Sequence, residues 1–412
     1  MCRTKLKLVK EPIPLKPSSR KPRSSDEILI STSKSTDSGV HSSSLFSKGS
    51  TSSAQSLASY KDLLPDNPNI YAFKEITLAT NHFRYGKLGN SSVWKCTLRN
   101  KPVVVTERIR TGPVDFRAKL REICSVHHRS IVELLGVCEE EDRLYLVYQY
   151  VEGSSMKECL RGSKAPGYTV LSSWLSRIQI AVDVAQGLEY MHHDISFNYV
   201  HKYIKSSSII IVGPDLNARI THFGTSELTG ELSAKHEGEQ SSSTEITEED
   251  SGETSGQFKR SRSRKIIGSQ GYMAPEFAAS GKISQKTDIF AFGMVLLELL
   301  TGQEPVKFSF DATKNQYKRV SLTETLFQMI SESDFSAKLR TWIDPRLKDS
   351  YPVDSAEKVA KLAATCVDIG PHDRPDMRHV AGELSKIYLK SKKWSEELEA
   401  NKAFMSTTME AR

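Results

Sequence analysis

The chain reads as α+β, with a small sheet-rich lobe followed by a larger helical one. Strand-length runs such as "KPVVVTERI" and "RLYLVYQYV" come early, with one helical pattern, "DFRAKLREICSV", between them. Longer apolar patterns at helical spacing, "WLSRIQIAVDVAQGLEYMHH" and "DSAEKVAKLAATCVDI", dominate afterwards, and that order is the mark of segregated sheet and helix. At 412 residues with 38% hydrophobic side chains, the chain is long enough to build both lobes.

Residues 1–69 are rich in Ser, Thr, Lys and Pro ("KPSSRKPRSS", "HSSSLFSKGSTSSAQS") and too poor in apolar residues to bury a core, so disorder is expected there. The net charge of +7 is concentrated at the start, where Arg3, Lys5, Lys7, Lys10, Lys16, Arg20, Lys21 and Arg23 face only Glu11. The remainder is balanced, which gives no general argument for nucleic acid. The basic terminus suits an anionic membrane face or plain disorder equally well. Residues 70–150 form the expected sheet-rich lobe and 151–390 the helical one, with 391–412 as a C-terminal tail. "IIIV" at 209–212 reads as a buried strand.

Residues 226–254 carry nine acidic side chains among many Ser and Thr, and "FKRSRSRK" (258–265) follows. We expect 226–265 to be a solvated, mobile loop. A nucleic-acid or nuclear-import patch is the weaker reading, because the acidic run competes for the basic charges. Cys2, Cys96, Cys124, Cys138, Cys159 and Cys366 show no metal-ligand or disulfide spacing, which points to a reducing compartment. The longest apolar stretch, "IFAFGMVLLELL", is about half of what a membrane helix needs. No signal peptide is apparent, so a cytoplasmic, soluble chain is expected.

"GSQGYMAPEF" (268–277), "KTDIFAFGMVLLELLTG" (286–302) and "PHDRPDM" (371–377) recur in an order and spacing that resemble a protein kinase over about residues 70–390. The expected architecture is therefore a bilobal protein kinase-like fold. The resemblance is closest to the cytoplasmic part of plant LysM-domain receptor-like kinases, through "LVYQYVEGSSM", "GLEYMHH", "GYMAPE", "FAFGMVLLELLTG" and "RTWIDPRL". It implies that residues 1–69 are a juxtamembrane-like segment, with a membrane span and ectodomain outside this chain. It also implies scaffold roles for Glu276 paired with Arg374, for Asp288 beneath the catalytic loop, and for Gly224 after Phe223. His201 and Phe223 stack between the lobes, completed by Ile123 and Leu135.

The same resemblance locates the damage. In "GKLGNSSV" (86–93), Gly86 and Gly89 remain, but Leu88 and Ser91 take the later glycine places, where backbone N–H groups need close approach to phosphate. Thr106 stands where the family has its phosphate-gripping lysine, and Lys119 where that lysine's glutamate partner belongs. Tyr203 replaces the catalytic-base aspartate. A protonated phenol cannot take the substrate proton as a carboxylate does, and losing a general base costs about 10²–10⁴ in rate. Ser208 and His222 replace the two metal ligands, and imidazole is a poor substitute for the hard oxygen that magnesium wants. Lys205 is retained, and Lys119 is a candidate to stand in for the missing lysine. The implied nucleotide-binding positions are Gly86, Gly89, Val93, Val104, Tyr148 (the gatekeeper) and Ile210, with Val104 narrowing the adenine site.

The expectation is a receptor-like pseudokinase with no metal, at most weak ATP binding, and no nucleic acid. Its expected partner is an active receptor-like kinase acting in trans at the cytoplasmic face of the plasma membrane, with phosphorylation within 24–59 or 225–263. Membrane association would come through an upstream span or the basic terminus. Two alternatives stand beside this: a weakly active Ser/Thr kinase using non-standard residues, and a truncated or nonfunctional gene product.

Overall fold

The structure, a computed structural model, describes residues 68–88, 92–112, 114–162, 171–195, 199–232, 269–311 and 316–410. Five strands build the first sheet: β1 (Asn69–Ile70), β2 (Val93–Leu98), β3 (Lys101–Ile109), β4 (Leu134–Glu140) and β5 (Arg143–Gln149), in the order β1-β4-β5-β3-β2. Both strands anticipated from "KPVVVTERI" and "RLYLVYQYV" are there. In β3, Val104, Thr106 and Arg108 lie opposite Tyr148, Leu146 and Leu144 of β5. Side chains alternate across a sheet, so these six share one face. Leu144, Leu146 and Tyr148 join the large core, where Leu120 and Ile123 of α2 (Phe116–Cys124) meet them.

The opposite face carries Val103, Val105, Cys96, Tyr145 and Val147, which form a second core with Tyr71 and Ile76. Ile76 belongs to α1 (Phe73–Ala79), a helix the sequence reading did not separate from its surroundings. Phe83 closes this core, with its ring 5.4 Å from Tyr145 and 5.0 Å from Trp94. The sheet is thus covered on both faces.

The helical lobe is built from α3 (Met156–Arg161), α4 (Trp174–Glu189), α5 (Thr225–Leu228), α6 (Pro275–Ser280), α7 (Gln285–Thr301), α8 (Leu322–Ile330), α9 (Phe335–Trp342), α10 (Val353–Cys366) and α11 (Met377–Glu410). α7 is buried from Asp288 to Thr301, which explains its near-continuous apolar sequence. It is a core helix, and among the described residues no helix is long and apolar enough to cross a membrane. The isoleucine run forms β7 (Ile209–Val212), paired between β6 (Ser154–Ser155) and β8 (Asn217–Ile220). A hairpin of β9 (Val306–Asp311) and β10 (Gln316–Ser321) was not foreseen.

Two expected boundaries move. The tail assigned to 391–412 is helical through Glu410 as part of α11, because Leu384 and Ile387 enter the core and the Trp174 indole donates to Ser391 Oγ at 2.9 Å. Of the segment 226–265 expected as a mobile loop, the described residues 226–232 are folded. Thr225–Leu228 is helical, Ser226 is buried, and Ser226 Oγ donates to Val200 O at 3.0 Å. Residues 1–67 and 233–268, with the basic terminus and most of the acidic-basic stretch, lie outside the described residues.

α6 is anchored by Glu276, whose carboxylate accepts both Arg374 Nη1 and Nη2, at 2.7 and 2.8 Å. Arg374 is fully buried and also donates to the carbonyls of Asp368 and Lys286. Removing one partner of such a pair leaves a buried charge uncompensated. Glu276→Ala is expected to cost about 3 kcal/mol in urea unfolding, and Glu276→Gln clearly less.

Candidate functional site

The loop 199–208 crosses beneath the sheet and is held from below. Asp288 of α7 accepts His201 N at 2.6 Å and Lys202 N at 2.7 Å, and lies 3.1 Å from His192 Nε2. His201 is buried, with its Nε2 2.9 Å from Thr221 O. Phe223 is buried against Tyr199, with ring centroids 4.7 Å apart. Gly224 has φ +81°, and a Cβ there would come within 2.5 Å of Ile123 Cγ2, so the close approach of α2 requires glycine. Ile123, Phe223 and His201 are all fully buried, while Leu135 packs on the outer core instead.

The chemistry-bearing positions gather on this frame with other side chains. Thr106 is buried on the inner face of β3. Lys119, on α2, pairs with Glu122 at 3.0 Å, and its charge also acts on Glu227 of α5. The cation on the inner face of β3 is Arg108, two residues beyond Thr106 and therefore on the same side of the strand. Its charge is felt at Tyr148, Tyr203, Lys205 and His222. Strand alternation could have revealed it, since Thr106 fixes the phase.

Tyr203 donates its phenol to Glu231 Oε1 at 2.5 Å, and Lys202 Nζ pairs with Glu231 Oε2. Burial first, and then the Glu231 charge, push the Tyr203 phenol well above its usual range, so it stays protonated. Glu231 sits in an acidic stretch that reads as solvated, so nothing in the sequence marked it. Lys205 Nζ donates to Ser269 Oγ at 3.1 Å, and burial, Arg108 and Lys157 lower its affinity for a proton.

The two positions implied to bind metal do not fit magnesium. Ser208 Oγ is spent on the loop itself, against the carbonyls of Tyr203 and Lys205 at 2.7 and 2.8 Å. His222 is held neutral by burial first and then by the nearby charge of Arg108. Its Nδ1 is buried with no hydrogen-bond partner among the described residues. The backbone at His222 has φ 68°, an uncommon conformation for a residue with a side chain. One hydroxyl engaged elsewhere and one neutral imidazole offer no hard anionic oxygen. Among the described residues no cluster of three His, Cys, Asp or Glu side chains has metal-binding geometry.

Of the implied nucleotide positions, Val93, Val104 and Ile210 are half-buried, as walls of a cleft would be. Gly86 has φ +75°, and a Cβ there would strike Lys95 O at 2.0 Å. Gly89 and Ser91 lie outside the described residues. Tyr148 is buried, and its hydroxyl donates to Phe223 O at 2.8 Å and lies 2.9 Å from Thr225 Oγ1. It ties β5 to the start of α5.

This frame is that of the protein kinases, and the chain belongs to that family: the protein kinase domain model matches residues 89–384. Among curated proteins, the chain is similar to LysM domain receptor-like kinase 3 of Arabidopsis thaliana, at 34% identity over 84% of this chain and 50% of the relative. Chitin elicitor receptor kinase 1 of the same plant is 34% identical over 79% of this chain and 47% of the relative. The chain thus spans about half the length of the curated relatives it matches. Among solved structures, the pseudokinase domain of BIR2, an immune regulator of the RLK/Pelle family, superposes with a TM-score of 0.56 at 23% identity. That match covers 77% of this chain and 86% of the other, and it shows the shared fold.

Burial holds the His201 imidazole down to about 4, against 6.5 for the free group, with the Asp288 charge opposing the shift. The unfolded chain gains this proton as pH falls through about 6.5, while the folded chain withholds it until lower pH. Stability therefore falls between those values, by at most about 3 kcal/mol from this group. His201→Phe should flatten that part of the pH dependence of the urea midpoint relative to the native chain.

Proposed function

We propose that the chain is the kinase-fold signalling part of a LysM-type receptor-like protein that binds partners and does not transfer phosphate. The observation that carries this reading is the state of Tyr203. The group at the base position is a protonated phenol, committed to Glu231 and flanked by Ser208 and His222 in place of carboxamide and carboxylate. Phosphoryl transfer depends on placed charge, on metal held against the phosphates and on a base at the substrate hydroxyl. Three of those places here hold neutral groups. Because these groups act as one unit, restoring one should not restore turnover.

The reading places the chain beside a competent receptor-like kinase, at the inner face of the plasma membrane when it is joined to a membrane span. Its Ser- and Thr-rich segments would be that partner's substrate. Thr225 and Ser226 are buried and hydrogen-bonded, so the accessible sites in the second segment begin beyond the described residues, from 233. With labelled ATP alone, the purified chain should incorporate no phosphate. Mixed with an active LysM-type kinase domain, it should be labelled within 24–59 or 233–263. Labelling of the isolated chain that survives stringent repurification would sink the first half. An unlabelled chain beside a self-phosphorylating partner would sink the second.

Two observations favour weak kinase activity as a second reading: Glu231 brings a carboxylate to the Tyr203 hydroxyl, and Arg108 brings a cation to the cleft. If that were the working site, any turnover would vanish in Glu231→Gln. The two readings also part over metal. With no hard anionic ligand at either metal position, a nucleotide should raise the melting temperature by the same small amount with and without magnesium. A shift that appears only with magnesium would favour the second reading.

A further inference from the structure

The outer cover of the first sheet presents a surface that the cleft does not use. Between Glu75 and Glu107 the chain carries Arg84, Lys87, Lys95, Arg99 and Lys101 and no acidic residue. The carboxylates that bound this stretch are both engaged, Glu75 with Arg99 at 3.1 Å and Glu107 with Arg143. Arg99 is thereby neutralised, and Lys95 Nζ lies 3.6 Å from the centre of the Tyr150 ring. Arg84 and Lys87 are different. Both are exposed, and neither pairs with a carboxylate among the described residues.

These two cations stand on a turn whose shape is fixed by its own backbone. After α1, His82 N donates to Thr77 O at 2.7 Å, Asn81 N to Leu78 O at 3.2 Å and Tyr85 N to Thr80 O at 3.0 Å. Asn81, His82 and Phe83 all have positive φ, at 48°, 54° and 61°, a region that residues with side chains seldom enter. Phe83 is the anchor: its ring packs on Tyr145 and Trp94, and its carbonyl accepts Trp94 Nε1 at 3.0 Å. With Phe83 pinned inward, its neighbours Asn81, His82, Arg84 and Tyr85 are all exposed. Leu78 is 64% exposed and Tyr85 72%, so one short turn displays an aliphatic chain, a phenol and two unmatched cations.

That composition selects a partner. At the boundary of an anionic bilayer, cations meet the headgroups, a tyrosine ring sits at their level and an aliphatic chain enters just below. A nucleic acid would use the cations and the phenol but leave Leu78 bare. The entry of the chain agrees with a lipid surface. Arg99 ties Asn69 Oδ1 and Ile70 O to this same cover, at 3.1 and 3.2 Å, and the basic sequence of residues 1–23 lies upstream of them.

We propose that the turn 78–87 docks on an anionic lipid surface, with Arg84 and Lys87 at the phospholipid headgroups and Leu78 and Tyr85 in the interface. The site belongs to the folded sheet-rich lobe and not to the basic terminus. It stands whether or not the cleft transfers phosphate.

Sedimentation of the full chain with phosphatidylcholine vesicles, with and without phosphatidylserine, tests this, and the basic terminus is constant in every comparison. The chain is expected to partition onto the phosphatidylserine vesicles. Arg84→Gln combined with Lys87→Gln should weaken that partition at least about tenfold, since each basic charge contributes about fivefold. Leu78→Gln and Tyr85→Ser change exposed side chains and should each weaken it at an unchanged melting temperature. Tyr85→Trp should gain emission that brominated acyl chains quench, beyond any quenching in the native chain, which a bilayer held by the terminus alone would not produce. A double charge variant that partitions like the native chain overturns the proposal, as does a Tyr85→Trp variant without added quenching. If Leu78→Gln and Tyr85→Ser leave partition unchanged, the turn is a plain polyanion site and the bilayer assignment is wrong.

Discussion

The carboxylate of Asp288 is the point from which the lower half of the cleft is built. It is buried on α7, and the charge is tolerated because two backbone N–H groups and the His192 ring surround it. Those bonds fix the backbone of His201 and Lys202, and hence the direction in which Tyr203, Lys205 and Ser208 leave the loop. A loop of this kind has few apolar residues of its own to hold it in place. Its shape comes from a helix far away in sequence that is itself locked in the core.

On that fixed loop the distribution of charge has been rearranged. The family frame surrounds a phosphate chain with a lysine, a base and two metal ligands, all in balance. Here the carboxylates are absent from the loop and from the residue before Phe223. What fills the space is Arg108 from the sheet, Lys205 from the loop and Glu231 from the segment after α5. Glu231 joins Lys202 and Tyr203, so an acidic residue now ties down the segment instead of a metal or substrate. Tyr148 does comparable work from above, bonding the backbone at Phe223. The cleft gains internal contacts where the family frame leaves room for ligands.

Much of this is legible in the sequence. The strands β3 and β5, the helices α2, α4 and α10, and the buried strand β7 follow from apolar period alone. The altered positions Thr106, Lys119, Tyr203, Ser208 and His222 follow from the resemblance to the protein kinases. Two things were misjudged for physical reasons. Residues 226–232 looked solvated by composition, yet a four-residue helix and one ion pair are enough to order them. Residues 391–410 were assigned to a C-terminal tail, yet a helix already nucleated continues at small cost per residue.

The sequence by itself determined which chemical groups stand at the places the family resemblance implies, because those identities are read directly once that resemblance sets the frame. It also determined the two-lobed architecture, since local periodicity and a run of buried apolar residues depend on neighbours in the chain. Only the tertiary structure decided what each polar group does. Whether Arg108 reaches the cleft with its charge, and whether Glu231 is free or bonded to Tyr203, depend on contacts between residues far apart in sequence. Such contacts arise when separate elements pack against one another, and no local pattern encodes them.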